Sequence, residues 1–250
     1  MSAFADISLW QLLLIAAMAL IAAVMGGVSG YGTGALMPLV LVPIVGAEPV
    51  VPILAISAMM NNVSRSLAFR RYIDVRRGLI VFACAVPTCV LGSYGYTRLT
   101  SFGALLVIGT VLILTVPVRR LLFHQNFRIG DRTLAASAVA YGGLAGGTTG
   151  AGVMLLSLLM AVGLEGAAVI ATDAFISIAI GCTKVAVFGL ASAITPQVLA
   201  LGLLMGLVAF PGAFLAKRFV EALPVRVHTA ILDAMVMIGG ATMIVSAFRI

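Results

Sequence analysis

Charge is scarce in this chain. Only 9% of its 250 residues are Asp, Glu, Lys or Arg, against about 25% in an ordinary globular chain. The sequence also has one tryptophan, two histidines and three cysteines. Each scarcity excludes something. Cys84, Cys89 and Cys182 are an odd set without CxxC or zinc spacing. All three fall in apolar runs, so they read as small packing residues rather than as a disulfide framework. His124 and His228 sit in basic loops with no neighbouring acid or cysteine spacing that would make a metal site. There is no Walker loop. The glycine run at 26–34 lacks the strand–turn–helix setting of a dinucleotide fingerprint. No nucleophile has a base beside it. Neither a cofactor nor an enzyme is expected.

What is present in excess is apolar surface. The chain is 62% hydrophobic, with a mean hydropathy of +1.22. A soluble domain of this size has too little interior to hide that much, so the bilayer is the expected solvent. The predicted class is an all-α polytopic membrane protein forming a single domain. The net charge of +7 points away from nucleic acid, because the cations lie in short loops between apolar runs, where they act as topology signals. Anion attraction is the lesser reading of the same charge. No Lys or Arg precedes the first apolar run, and Asp6 is the only early charge. That run exceeds a typical signal-peptide core, so it reads as a retained span.

One element is written twice. Gly26-Gly27-Val28-Ser29-Gly30-Tyr31-Gly32-Thr33-Gly34 returns as Gly142-Gly143-Leu144-Ala145-Gly146-Gly147-Thr148-Thr149-Gly150, and four glycines keep register at a shift of 116. Gly46-Ala47-Glu48 matches Gly163-Leu164-Glu165 at a shift of 117, and Pro87 matches Pro211 at 124. The duplication predicts repeat 1 at 1–118, a basic linker at 119–132 and repeat 2 at 133–250. Glu48 and Glu165 are expected to cap the helices that follow. Pro87 and Pro211 are expected to kink theirs.

Apolar runs place helices at 9–27, 50–69, 78–96, 102–118, 133–143, 166–190, 197–219 and 226–248. Shorter runs at 35–45 and 153–162 follow the glycine stretches. An 11-residue run rises only about 16 Å, roughly half of a hydrocarbon core about 30 Å thick. It therefore reads as the return arm of a broken, re-entrant hairpin. With that assignment, eleven of the fifteen cations fall on one face, which the positive-inside rule makes cytoplasmic. The two halves then have opposite orientation, giving inverted repeats of about four elements each, with both termini outside.

Two glycine-interrupted segments at matching places in two halves point to a transporter binding site. Freed backbone N–H groups and helix N-termini suit an oxyanion. The residues expected to bind it are Gly26, Gly27, Ser29, Gly30, Thr33 and Gly34 in the first copy. In the second they are Gly142, Gly143, Gly146, Gly147, Thr148, Thr149 and Gly150. Close helix packing is the competing reading of the same glycines. The next spans carry polar stripes. Ser57, Asn61 and Arg65 are spaced four apart, and Asp173, Ser177, Gly181 and Lys184 form a comparable row. Asn61 is expected to touch the ligand or bridge two helices. Lys184 guides the anion or snorkels to the interface. Asp173 is the candidate proton-coupling carboxylate, or else a structural hydrogen-bonding group. Arg65 reads as an orientation signal near the basic face.

At these residues the chain resembles the TauE/SafE sulfite exporter family, on the glycine-rich stretch 26–38, the Gly46-Ala47-Glu48 motif and the segment 142–152. The resemblance spans almost the whole chain. It implies a multi-pass inner-membrane transporter that exports a small sulfur-containing anion such as sulfite, sulfoacetate or a related organosulfonate. It carries no catalytic motif. The expected mechanism is alternating access, with the lipid bilayer and the anion as partners and a homo-oligomer left open. The rivals are an anion channel of the same fold, a membrane-embedded enzyme and a non-transporting assembly subunit.

Overall fold

The computed structural model describes residues 7–29, 32–124, 128–149, 151–212, 215 and 225–249, with backbone alone at 26–29, 32, 119–124, 225–232 and 235. Among the described residues all regular structure is helical. The first five helices are α1 (Leu9–Ser29), α2 (Gly32–Val45), α3 (Val50–Ala68), α4 (Val75–Tyr96) and α5 (Ser101–His124). The second five are α6 (Asp131–Gly147), α7 (Gly152–Ala161), α8 (Ala167–Leu190), α9 (Pro196–Ala209) and α10 (Val225–Ala247). A 3-10 turn, Arg70–Tyr72, joins α3 to α4.

Local chemistry sets several of these boundaries. Asp74 caps α4 by accepting from the Arg77 backbone N–H at 3.0 Å. Thr195 does the same for α9 through Val198 at 3.2 Å, with Pro196 at the first helical position. Gly46 (φ +82°) ends α2 and Gly163 (φ +87°) ends α7. That left-handed backbone is why glycine stands at both matched positions. The capping expected of Glu48 is not found. Its carboxylate accepts from the Ser101 hydroxyl at 2.6 Å, while α3 begins at Pro49 without a side-chain cap. Helix α8 likewise begins at Gly166 with no side-chain cap, so Glu165 does not cap it.

Among the described residues, three helices are long and apolar enough to cross a bilayer: Val75–Tyr96, Ser101–Val118 and Ala167–Leu190. The outward surface is apolar, with Trp10, Leu91, Leu190, Ile238 and Phe248 among its exposed side chains. Helix α3 has comparable length, but from Ser57 onward it carries Ser57, Asn61, Asn62, Ser64 and Arg65, all buried. It is a helix whose polar face is turned inward.

The α6–α7 pair is a hairpin. The Ile129 N–H, just ahead of α6, donates to the Ala161 carbonyl at the end of α7 (2.9 Å). The chain therefore returns to the end from which it entered. At α2's far end, Ala47 accepts from the Tyr96 hydroxyl at 2.8 Å, tying that end to the α4–α5 turn. Helix α3 packs on α8 and α9, α8 on α3 and α4, and α5 on α10. Glycine sets the closest approaches. At the α5–α10 crossing, a Cβ on Gly109 would lie 2.8 Å from the Gly240 carbonyl oxygen, and one on Gly240 would lie 2.9 Å from that of Gly109. Two buried clusters result, one centred on α1, α2, α3 and α5 and one on α4, α6, α7 and α8.

Several boundaries differ from the sequence reading. Helix α5 runs on through His124 and α6 starts at Asp131, so much of the basic stretch 119–132 is helical. Helix α9 stops at Ala209, just before Pro211; residues 213, 214 and 216–219 of the expected span lie outside the described residues. The largest difference concerns the glycine stretches. Helix α1 continues through Gly26, Gly27 and Ser29, and α6 continues through Gly142, Gly143, Gly146 and Gly147. Most of each expected loop is helix, because a backbone without water keeps its N–H groups paired wherever it can.

Candidate functional site

Helix α1 ends at Ser29 and α2 starts at Gly32; α6 ends at Gly147 and α7 starts at Gly152. Residues next to the α1–α2 and α6–α7 junctions line one cavity of about 130 Å³. Thr33 and Gly34 reach it from the first turn of α2, and Thr148, Thr149 and Gly152 from the second break. Helix α3 adds Asn61, Asn62 and Arg65, and α8 adds Asp173, Ser177, Gly181 and Lys184. The α8 set lies on one helix face and extends about 16 Å along the axis. A water needs only about 10–15 Å³ measured this way, so the space admits a small solute with some of its hydration.

The charges divide between the two ends. Arg65 and Asp173 face each other across the α3–α8 contact, Nη2 to Oδ2 at 3.0 Å, with both side chains almost fully buried (5% and 2% exposed). Arg65 Nη1 also donates to Asn62 Oδ1 at 3.1 Å. Lys184, also buried, donates from Nζ to the carbonyls of Ala145 (2.8 Å) and Thr148 (3.0 Å). These carbonyls are at the C-terminus of α6, where the helix leaves them without internal partners and carries a partial negative charge. The lysine is thus a cationic cap for a helix that stops inside the protein. An ammonium has three donors, and these bonds use two.

Several polar atoms here are deeply buried and have no hydrogen-bonding partner. They are Asn61 Oδ1, Arg65 Nε and Nη2, Thr149 Oγ1 and Asp173 Oδ1, with Ser57 Oγ on the same α3 stripe. Arg65 Nη2 is near Asp173 without the alignment of a hydrogen bond. Buried polar groups are nearly always paired, and leaving one unpaired costs about 1–3 kcal/mol. Concentrated around one cavity, they mark a place for a guest with several hydrogen-bonding atoms.

The expected residues separate into groups. Thr33, Gly34, Asn61, Thr148, Thr149, Asp173 and Lys184 come together at the cavity. The Thr148 hydroxyl is already committed to the Leu144 carbonyl at 2.7 Å, whereas that of Thr149 is not. Gly142, Gly143, Gly146 and Gly147 are not on the wall. They form the α4–α6 contact, where a Cβ on Gly142 would collide with the Ala85 carbonyl and one on Gly146 with that of Cys89. These are the close packing positions of the competing reading. Gly26, Gly27 and Ser29 lie in α1, described there by backbone alone. Gly30, Tyr31 and Gly150 lie outside the described residues.

Lys184 does not snorkel, since its ammonium is spent on buried carbonyls. Nor is Arg65 a surface topology signal, since it is a buried member of the cavity wall. The sequence did carry a hint of that. Arg65 continues the Ser57–Asn61 stripe, and a cation and an anion inside spans are best accommodated together.

The family model for the sulfite exporter TauE/SafE matches residues 15–243 of this chain. The chain belongs to that family of membrane transporters, whose name is that of a sulfur-anion exporter. No curated protein and no solved structure matches it.

Proposed function

We propose that this member of the TauE/SafE family exports a small sulfur-containing anion, such as sulfite, sulfoacetate or a related organosulfonate, across the inner membrane by alternating access. The observation that carries this reading is the set of unpartnered buried polar atoms around the cavity between the two helix breaks. The first turns of α2 and α7 present backbone N–H groups and a partial positive charge. Thr149 and the remaining proton of Lys184 add donors beside them. An oxyanion with three oxygens would satisfy those donors without a metal or another cofactor, and nothing in this role calls for an enzyme.

The helix pairings support an inverted internal repeat. Exchanging α1–α5 for α6–α10 turns the α1–α9 contact into α6–α4, α3–α9 into α8–α4, and α2–α10 into α7–α5. The α3–α8 and α5–α10 contacts map onto themselves. A two-fold of this kind puts the two breaks opposite one another and lets one half rock against the other. Arg65 and Asp173 join the halves at that central α3–α8 contact. Export needs no coupling ion, since an inside-negative potential favours anion exit by about 2.3 kcal/mol per charge per 100 mV. Asp173 is accordingly not required to carry a proton.

Flux of labelled sulfite and of an organosulfonate into or out of proteoliposomes, with voltage and pH varied separately, tests the proposal. Saturable, voltage-responsive flux at carrier rates is expected. Absence of flux for every anion tried, or hydrolysis or modification of the solute instead of its passage, would overturn it.

A further inference from the structure

We infer that the cavity is a filter for anion charge: it accepts singly charged oxyanions and rejects doubly charged ones, and Asp173 sets that limit. The inference rests on the transport reading above and goes beyond it, because the reading leaves the ionic state of the solute open.

The charges on the wall decide the matter. Among the described residues, three side chains lining the cavity carry formal charge: Arg65, Asp173 and Lys184. Arg65 and Asp173 form an ion pair at 3.0 Å and cancel. Lys184 remains. The helix ends add fractions of about half a charge each, of both signs. The C-terminus of α6, held by Lys184, is offset by the first turn of α7, which contributes Gly152, and the end of α1 at Ser29 likewise offsets the first turn of α2, which contributes Thr33 and Gly34. The wall therefore carries a surplus close to one positive charge. Inside a bilayer an uncompensated charge is expensive. A guest with one negative charge leaves the filled site near neutrality, whereas one with two leaves it negative by about as much as the empty site is positive.

Asp173 matters because its carboxylate is part of the wall, with Oδ1 free of any hydrogen-bond partner. A guest near Arg65 meets that carboxylate too. A second negative charge on the guest would share the cavity with Asp173, with no second unpaired cation among the described lining residues to face it. Hydrogen sulfite and sulfonates without a second ionised group, such as methanesulfonate, meet the criterion. Sulfate, fully deprotonated sulfite and sulfoacetate, whose carboxylate is a second charge, do not, so the filter narrows the solutes named above. The arrangement also explains why the strongest donor in the cavity, the Arg65 guanidinium, is held by a carboxylate instead of being left open: an unmasked arginine in the same cavity as Lys184 would favour dianions.

The test measures binding of methanesulfonate, with one charge, and sulfate, with two, to the purified full-length protein in detergent, at constant ionic strength. Uptake of each into proteoliposomes gives a second readout. The wild-type protein is expected to prefer methanesulfonate by at least about tenfold. Asp173→Asn is expected to move that ratio toward sulfate by at least about tenfold. Arg65→Gln is expected to weaken both anions. The double variant Arg65→Gln/Asp173→Asn restores the original net charge and is expected to restore the preference for methanesulfonate. A residue that merely stabilised the fold would not produce that reversal. The double variant also keeps the test decisive where Asp173→Asn alone fails to fold. Equal binding of sulfate and methanesulfonate by the wild type, or a double variant that binds sulfate preferentially, would overturn the charge filter while leaving anion transport standing. Binding and uptake of neither anion would overturn the transport reading, and the filter with it.

Discussion

Replacing Gly146 with alanine tests whether the second glycine cluster exists for packing. A Cβ at this position would sit 2.8 Å from the Ser93 backbone nitrogen and 3.0 Å from the Cys89 carbonyl carbon, with the carbonyl oxygen closer still. All of these are backbone atoms of α4, so no side chain can rotate away. To reach ordinary contact, α4 and α6 must separate by about 1 Å, and the Ser93 hydroxyl bond to the Gly146 carbonyl (3.2 Å) would lengthen with them. Overpacking of this kind costs about 1–3 kcal/mol, and a weakened buried hydrogen bond about 1 kcal/mol. Alanine's better helix propensity returns at most about 1 kcal/mol, which leaves a net loss of roughly 1–3 kcal/mol.

Gly143→Ala is the internal control. Its Cβ would meet nothing nearer than Thr88 Cβ at 3.9 Å, so the propensity gain stands almost alone and stability should hold or rise by up to about 1 kcal/mol. The two variants are three residues apart on one helix. They should differ by roughly 1–4 kcal/mol in equilibrium unfolding of the purified protein in mixed micelles. Equal stabilities would refute the packing argument. A Gly146→Ala protein as stable as wild type but unable to bind any anion would return this glycine to the binding site.

Other outcomes follow from the same geometry. Lys184→Met removes both the cap on α6 and the surplus charge; anion flux should fall by at least about tenfold, and unchanged apparent affinity would exclude the lysine from the site. Thr149→Val takes away an unpartnered hydroxyl from the wall and should weaken anion binding by about 1 kcal/mol with little effect on unfolding, as isothermal titration and melting together would reveal. Arg76→Gln breaks an ion pair with Asp131 (2.9 Å) whose arginine is 81% exposed; stability should change by no more than about 1 kcal/mol. In a cysteine-free background, single cysteines at Arg71 and Arg98 should be labelled by an impermeant thiol reagent from opposite sides of the membrane. Labelling from the same side would contradict the inverted arrangement.

The solvent of this protein was legible from composition. A chain that is 62% apolar in long continuous runs, not in alternation, reads as helical where it meets lipid, because a helix satisfies its backbone within the segment. The helix order was also readable, since loops need polar residues and turns such as Gly46 and Gly163 need a left-handed backbone. So was the pairing of the two breaks, because a duplicated sequence displays its own register. The polar stripes on α3 and α8 were visible as faces through their four-residue spacing.

What each glycine faces was not readable from the chain. Gly142 and Gly146 look like parts of a loop until α4 lies against them; the same residue type serves a bend and a close contact, and only a neighbour distinguishes the two. Arg65 and Asp173 are 108 positions apart, and nothing local joins them. They meet because α3 packs on α8, and that contact turns two isolated charges, each costly in a membrane, into one neutral pair. Lys184 acquired its role in the same way, from a helix end that folding brought to it. Local pattern decided which segments are helices and which faces are polar. Packing alone decided which charges cancel, and with them the charge left over for a guest.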